Sequence, residues 1–416
     1  MENIYINNIH IDEVRHLKNI DIPSSDGKKN IIITGKNGSG KTSLLDSLAN
    51  YLQSIASDND FNDIPVKIHT WKNYLQEAKQ KNDTQDINRC LENLKYYENK
   101  FINTRNGLDI TFNADTSTIY KCFNNGEFVL AYYDANRNFQ TEEVKNVEKI
   151  ELNTKYSIKE KPSLKFVKYL VDLKVTQALA LTNGKKEKAE QIQNWFQSLE
   201  NYLKMIFDDQ SLQLVFDEDK FNFYISVEGR NDFDFNTLSS GYSAILDIVV
   251  DLIMRMGKTS NRRFEYNMPG IVLIDEIETH LHLELQKNIM SFLTTIFPNV
   301  QFIVTTHSPF ILNSLGNIVI YDLESRILIE NGLTDVPYKG IVEWYFRVDT
   351  HSKELKEKFE KYKNLINKDH LEDEDFAEIS RLQVYLEEIP DYLALDISTE
   401  YQILKSEFEG RSDLQW

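Results

Sequence analysis

Eight consecutive residues, Gly35-Lys36-Asn37-Gly38-Ser39-Gly40-Lys41-Thr42, fit the spacing G-x-x-x-x-G-K-[ST]. Each residue type suits one task. Gly35, Gly38 and Gly40 let the backbone wrap closely, so that its N–H groups point at a polyphosphate. Lys41 brings a positive charge to the β- and γ-phosphates, and Thr42 offers a hydroxyl to Mg²⁺. The apolar run Asn30-Ile31-Ile32-Ile33 leads in, and Ser43-Leu44-Leu45-Asp46-Ser47-Leu48 starts a helix whose dipole adds to the site. Strand, glycine loop and helix together imply a nucleoside triphosphate.

A second group of reactive residues lies far downstream. Ile271-Val272-Leu273-Ile274 reads as a buried strand ending in Asp275-Glu276, and 31 positions later Phe302-Ile303-Val304-Thr305-Thr306 ends in His307. Asp275 at its strand end is placed to hold the Mg²⁺ shell. Glu276 is placed to orient or deprotonate an attacking water, and His307 to hydrogen-bond the γ-phosphate. Ser239-Ser240-Gly241 opens a strongly apolar helix, a pattern that by itself reads only as an N-cap.

Stepping outward, the first positioning element is a strand pair, Ile4–Ile9 and Leu17–Ile22, closed by Pro23-Ser24-Ser25-Asp26-Gly27. Its Arg15 or His16 is a candidate adenine contact, with a plain surface role as the alternative. Apolar spacing from Ile64 to Phe101, broken at Lys81-Asn82-Asp83, predicts an inserted helical hairpin. Leu108–Phe112, Thr118–Phe123 and Glu127–Tyr133 are expected as strands, with a turn at Asn124-Asn125-Gly126 between the last two. Beyond Tyr133, Gln140 or Arg137 is expected to sense the γ-phosphate, with Gln140 joining Thr42 and Asp275 as a metal ligand. Surface loop residues are the competing reading. Residues 155–210 are expected to be mainly helical, and Leu212–Phe216 and Phe221–Val227 to be strands.

Composition sets the bounds. The chain has 416 residues, 41% apolar and 27% charged, with a formal net charge of −18. Those values fit a globular protein of two or three domains and argue against a nonspecific coat on nucleic acid, which needs Lys and Arg. Apolar runs are strand-sized, so no bilayer span is expected, and Met1-Glu2-Asn3 begins no signal peptide. Cys90 and Cys122 lack C-x-x-C spacing and suit a reducing, cytoplasmic compartment. Residues 351–416 carry 17 Asp/Glu against 9 Lys/Arg, which reads as a solvated face or as a docking face for a basic partner.

Taken together, these motifs resemble an ABC-type ATPase of the group that includes structural-maintenance-of-chromosomes, double-strand-break-repair and RecF proteins. Gly35–Thr42 matches the Walker A loop, Leu238–Ser243 the signature, and Ile271–Glu276 Walker B with its catalytic glutamate. Glu278-Thr279-His280-Leu281-His282 resembles the D-loop, and His307 the switch histidine. The match runs from residue 1 to about 330. It departs from the pattern at Ser240, at the bulky Tyr242, and at Leu283, where a proline is often found. The resemblance implies a head-to-tail homodimer, or a higher homo-oligomer, around ATP and Mg²⁺. Walker A of one subunit would face Ser239, Ser240 and Gly241 of the other. It also makes His280 and His282 D-loop contacts rather than a metal pair.

Between Thr42 and Leu238 there are neither sustained heptads nor a C-x-x-C, so long coiled-coil arms and a zinc hook are not expected. No second acidic strand end follows His307, which disfavours a Toprim nuclease. The layout resembles stand-alone ATPases of bacterial antiphage systems, most closely the Septu type. That resemblance implies an HNH-type nuclease partner, with nucleic acid engaged through the complex, and no membrane. The alternative is a RecF-like repair ATPase acting on DNA.

The expected fold is α/β, an ABC-type ATPase head of mixed sheet and antiparallel layer with an inserted helical lobe and a helical C-terminal region. Core segments 1–62, 107–150 and 211–335 are interrupted by helical segments 63–106 and 151–210. An acidic region for partner docking, 336–416, follows them. Helices are expected at Leu355–Leu365, Phe376–Leu386 and Tyr401–Phe408.

Overall fold

The computed structural model describes residues 3–24, 27–58, 61, 63–258, 266–341, 353–368, 370–387, 395–409 and 411. It divides into two compact units, Met1–Asp335 and Val336–Trp416.

In the first unit, β1 (Ile6–Val14) and β2 (Leu17–Pro23) form a hairpin, and β3 (Asn30–Thr34) runs into α1 (Lys41–Ser57). Next come α2 (Asp63–Gln80), α3 (Thr84–Arg105), β4 (Leu108–Phe112), α4 (Thr116–Asn124) and β5 (Val129–Tyr133). After a long irregular stretch follow α5 (Phe166–Thr182), α6 (Lys186–Phe207), β6 (Gln213–Asp217), β7 (Asn222–Ser226) and β8 (Phe233–Asp234). The unit continues with α7 (Ser240–Met256), β9 (Gly270–Ile274), α8 (Leu283–Ile296), β10 (Val300–Thr305), α9 (Pro309–Leu312), β11 (Ile318–Asp322) and β12 (Ile327–Ile329).

The central sheet has the order β12-β11-β3-β10-β9-β5 among the described residues. Its strands from β11 to β5 are parallel, and β12 is antiparallel at the edge. Parallel strands covered on both faces need continuous apolar runs. That is how β3 and β9 are built, with Ile31–Ile33 and Ile271–Ile274 all fully buried. Two antiparallel layers flank it, ordered β2-β1-β4 and β6-β7-β8. In the first, Ile9 and Ile11 face inward with no exposure while Asp12 and Glu13 face solvent.

One expected strand is a helix. Thr118–Phe123 lies inside α4, and the expected Asn124-Asn125-Gly126 hairpin turn is its C-terminal end, with Gly126 at φ 75° and its N–H on the Phe123 carbonyl. The β-branched residues Thr116, Thr118 and Ile119 resemble a strand locally, but Ile119 and Phe123 stand four apart, and both are buried in the core cluster that includes residues of α1. Packing of that face overrides the local preference. The hairpin of α2 and α3 does form: Asp83 caps α3 by accepting from the N–H groups of Gln85 and Asp86.

The second unit holds α10 (Tyr338–Gly340), α11 (Lys353–Ile366), α12 (Asp373–Glu387) and α13 (Leu395–Glu409). Tyr362 and Tyr401 sit at its centre with ring centroids 5.3 Å apart, packed with Phe359, Ile379 and Leu382. The aromatic stretch Val342–Phe346 and the residues Glu388-Ile389-Pro390 lie outside the described residues. Among the described residues no helix is long and apolar enough to cross a membrane.

Candidate functional site

β3 delivers the chain into the glycine loop. Gly35 and Gly40 have φ of +137° and +98°, and a Cβ on Gly35 would lie 2.8 Å from Ser39 Oγ, so glycine is required there. Lys36, Asn37 and Gly38 form the exposed rim, where Lys36 pairs with Glu324 at 2.7 Å. Lys41 instead folds inward, only 6% exposed, and donates to the carbonyls of Gly35 (2.9 Å) and Lys36 (3.1 Å). Burial lowers its pKa, opposed by Glu276, Glu278, Asp275 and Asp322. The α1 N-terminus has no side-chain cap, which leaves its first N–H groups and dipole facing outward.

Adjacent parallel strands bring the second group to this loop. With Val304 paired to Ile274 in register, Asp275 and Thr305 emerge side by side. Asp275, 2% exposed, accepts from Thr42 Oγ1 at 2.8 Å and from Thr305 Oγ1 at 2.6 Å. The same Thr305 hydroxyl accepts the Glu276 N–H at 2.7 Å. A hydroxyl and a carboxylate are hard oxygen donors that fit Mg²⁺, an ion that retains several waters. Ser39 Oγ and His307 Nε2 are buried without a hydrogen-bond partner, as suits groups that turn toward a phosphate ligand.

Glu276 has a φ of +43°, rare for a residue other than glycine, and Thr279 Oγ1 donates to its Oε2 at 3.3 Å. The His307 N–H donates to Glu278 Oε1 at 2.5 Å, which ties the end of β10 to the loop after β9. Burial, then Lys41, pushes the His307 imidazole below its usual pKa, against the pull of Glu278, Glu276 and Asp275. The neutral ring is thereby favoured.

Arg137 does not face the nucleotide loop. It is 2% exposed and, among the described residues, donates to the backbone carbonyls of Asp134, Asp275, Glu276 and Ile277. Gln140 is exposed, and among the described residues no hydrogen bond joins it to Thr42 or Asp275. Its neighbours are anchored to α7: Phe139 N–H donates to Ser243 Oγ at 2.8 Å, and that hydroxyl donates to Asn138 Oδ1 at 3.1 Å.

Ser239 and Ser240 are exposed at the start of α7, whereas Gly241 is buried where a Cβ would meet the His280 carbonyl at 3.1 Å. The unusual Tyr242 stacks on Phe207 with centroids 4.1 Å apart and meets the edge of His282 at 6.2 Å. Arg15 and His16 form the exposed β1–β2 turn, and His16 Nε2 lies 3.2 Å from the Ser39 carbonyl. Sequence reasoning gave Thr305 no role, and placed Glu278 in the D-loop match without a contact to His307. The signals were present, a threonine directly beyond the β10 core and a carboxylate two positions after Glu276.

Residues 131–313 match the family described as "AAA domain, putative AbiEii toxin, Type IV TA system". The "Septu protein PtuA" of Bacillus mycoides is 34% identical over 139 residues, 33% of this chain and 18% of that protein. The "Retron Ec83 probable ATPase" of Escherichia coli is 31% identical over 183 residues, 41% of this chain and 33% of that protein. The "Retron Vc95 probable ATPase" of Vibrio cholerae is 29% identical over 153 residues, 34% of this chain and 30% of that protein. The chain thus matches a third or less of these relatives' length. A solved SMC head bound to the C-winged helix domain of ScpA aligns over 80% of this chain and 100% of its own at 14% identity, with a TM-score of 0.39. Motif order and the meeting of Thr42 with Asp275 accord with the matched relatives, so this chain is similar to the ATPases named in Septu and retron systems.

Proposed function

We propose that this chain binds and hydrolyses ATP as the nucleotide-operated subunit of an antiphage defence complex, closing as a homodimer around nucleotide and regulating a partner nuclease of the HNH type. The observation that carries the ATPase reading is the hydrogen bond from Thr42 to Asp275, which joins the glycine loop to the acidic strand end. The printed names of the Septu and retron relatives support the defence setting.

The residues divide the work. Lys41 and the α1 N-terminus hold the phosphates by charge and by N–H donors. Thr42 and Asp275 would hold Mg²⁺, which when bound neutralises phosphate charge as it develops. Glu276 takes a proton from the water whose oxygen attacks the γ-phosphorus, while the bond to the bridging oxygen breaks and ADP leaves. His307, in the tautomer that carries its proton on Nε2, donates to the γ-phosphate and steadies it. Ser239 and Ser240, exposed at the head of α7, are available to a second subunit's nucleotide.

The test is co-expression with the adjacent open reading frame, followed by ATPase assay, light scattering with and without ATP, and phage plating. A complex with a nuclease whose protection is lost in both Lys41→Ala and Glu276→Gln supports the reading. A lone chain whose turnover rises with DNA supports the RecF-like alternative instead.

A further inference from the structure

The backbone just past β9 is bent in a way the strand itself does not explain. In an extended strand successive carbonyls point to opposite sides. Here the carbonyls of Asp275, Glu276 and Ile277 converge on one guanidinium. Arg137 Nη1 donates to Asp275 O at 2.6 Å and to Asp134 O at 2.8 Å, and Nη2 donates to Glu276 O at 2.9 Å and Ile277 O at 3.2 Å. The convergence is possible because Glu276 adopts φ +43°.

A left-handed glutamate persists only where its surroundings over-determine it. The Thr279 N–H donates to Glu276 O at 2.9 Å, and further contacts reinforce the turn. Arg137 holds the carbonyls, Thr305 Oγ1 takes the Glu276 N–H, Thr305 O takes the Ile277 N–H, and Tyr133 O takes the Asp275 N–H. Of these only Arg137 grips three consecutive residues, and it comes from the stretch after β5, outside every motif.

We propose that Arg137 is a positioning residue for Glu276: a buried guanidinium that fixes the turn from Walker B into the D-loop so that the catalytic carboxylate faces the attacking water. The inference rests on the reading that Glu276 acts in ATP hydrolysis. Arg137 touches no nucleotide in this assignment. Its two Nη atoms already serve four carbonyls, and the residue is 2% exposed. A lysine would preserve the charge but not the planar fork that reaches separated acceptors.

The experiment compares wild type, Glu276→Gln, Arg137→Lys and Arg137→Met in the full chain, with its partner if they co-purify. It measures kcat and KM for ATP, affinity for a fluorescent ATP analogue, and thermal melting. Arg137→Lys and Arg137→Met are expected to keep KM within about threefold and to lower kcat by about 10- to 100-fold, the scale set by misplacing a reacting group by ~1 Å. If Arg137→Met loses its cooperative melt, Arg137→Lys decides. Wild-type kcat in a folded Arg137 variant, or unchanged kcat with raised KM, overturns the inference while leaving the ATPase reading intact. Equal hydrolysis in wild type and Glu276→Gln, or none in wild type, removes both.

Discussion

Thr42 and Asp275 stand 233 positions apart in sequence and share a hydrogen bond of 2.8 Å. The bond forms because β3 and β9 both flank β10 in one parallel sheet, so the loops leaving β3 and β9 open at the same edge. Ligands in open parallel sheets gather at the carboxyl ends of strands, and these residues lie there.

Thr305 completes the link by donating to Asp275 and accepting from the Glu276 N–H, so one hydroxyl orients both acids. Thr305→Val keeps the shape and removes both bonds. It is expected to lower Mg²⁺-dependent kcat by about 10- to 100-fold, the range for losing a group that orients a metal-site ligand. Steady-state kinetics across a Mg²⁺ titration check this, and an unchanged kcat would show that β10 merely closes the sheet.

Glu276→Gln retains the shape of the side chain but cannot take a proton. Hydrolysis is expected to fall by about 10²- to 10⁴-fold while nucleotide affinity is held, because Lys41 and Thr42 are untouched. Light scattering should then show an ATP-dependent dimer that persists, since exposed Ser239 and Ser240 remain able to meet a second subunit. Turnover at the wild-type rate would remove Glu276 from the chemistry.

Much of this site was legible because its parts are local. A glycine loop between an apolar strand and a helix, or two carboxylates at the end of Ile271–Ile274, can be read from a dozen residues. What escaped depends on distant packing. Arg137 follows a buried strand and reads as a phosphate sensor, yet three of its four acceptors are carbonyls about 140 positions away. Tyr242 looks like a defect in the signature until Phe207 stacks on it. The α4 segment reads as a strand because nothing within it reveals the core face that Ile119 and Phe123 enter.

His307 gives the site a pH signature. Burial and Lys41 depress its folded pKa below the ordinary value near 6.5, so the unfolded chain protonates first as pH falls. Where the unfolded state binds more protons, stability rises with pH. The His307 contribution is therefore full above about pH 6.5 and is lost as pH falls through the depressed folded value. Melting temperatures measured from pH 7.5 to 5.5 should decline less steeply in His307→Asn than in wild type. Parallel curves would mean that the ring stays accessible to protons in the folded protein.

Helix α7 has its own anchor. Asp251, fully buried, accepts from Arg255 Nε at 2.6 Å, Tyr133 OH at 2.8 Å and the Ser163 N–H at 3.3 Å. Burial and this carboxylate raise the Tyr133 pKa well above normal, so its hydroxyl remains a donor at neutral pH. Arg255 in turn donates to the carbonyls of Leu130, Ser157 and Glu160, so α7, β5 and the stretch before α5 are joined through one ion pair. Asp251→Ala leaves a buried guanidinium without its counter-charge and is expected to cost ~3–5 kcal/mol. Replacing both partners, as Asp251→Leu with Arg255→Met, should cost much less, because no charge is then left unpaired. Urea unfolding followed by tryptophan emission, to which buried Trp195 contributes, measures both. A double variant as unstable as Asp251→Ala would mean that the carbonyl contacts of Arg255, rather than its charge pairing, hold the helix in place.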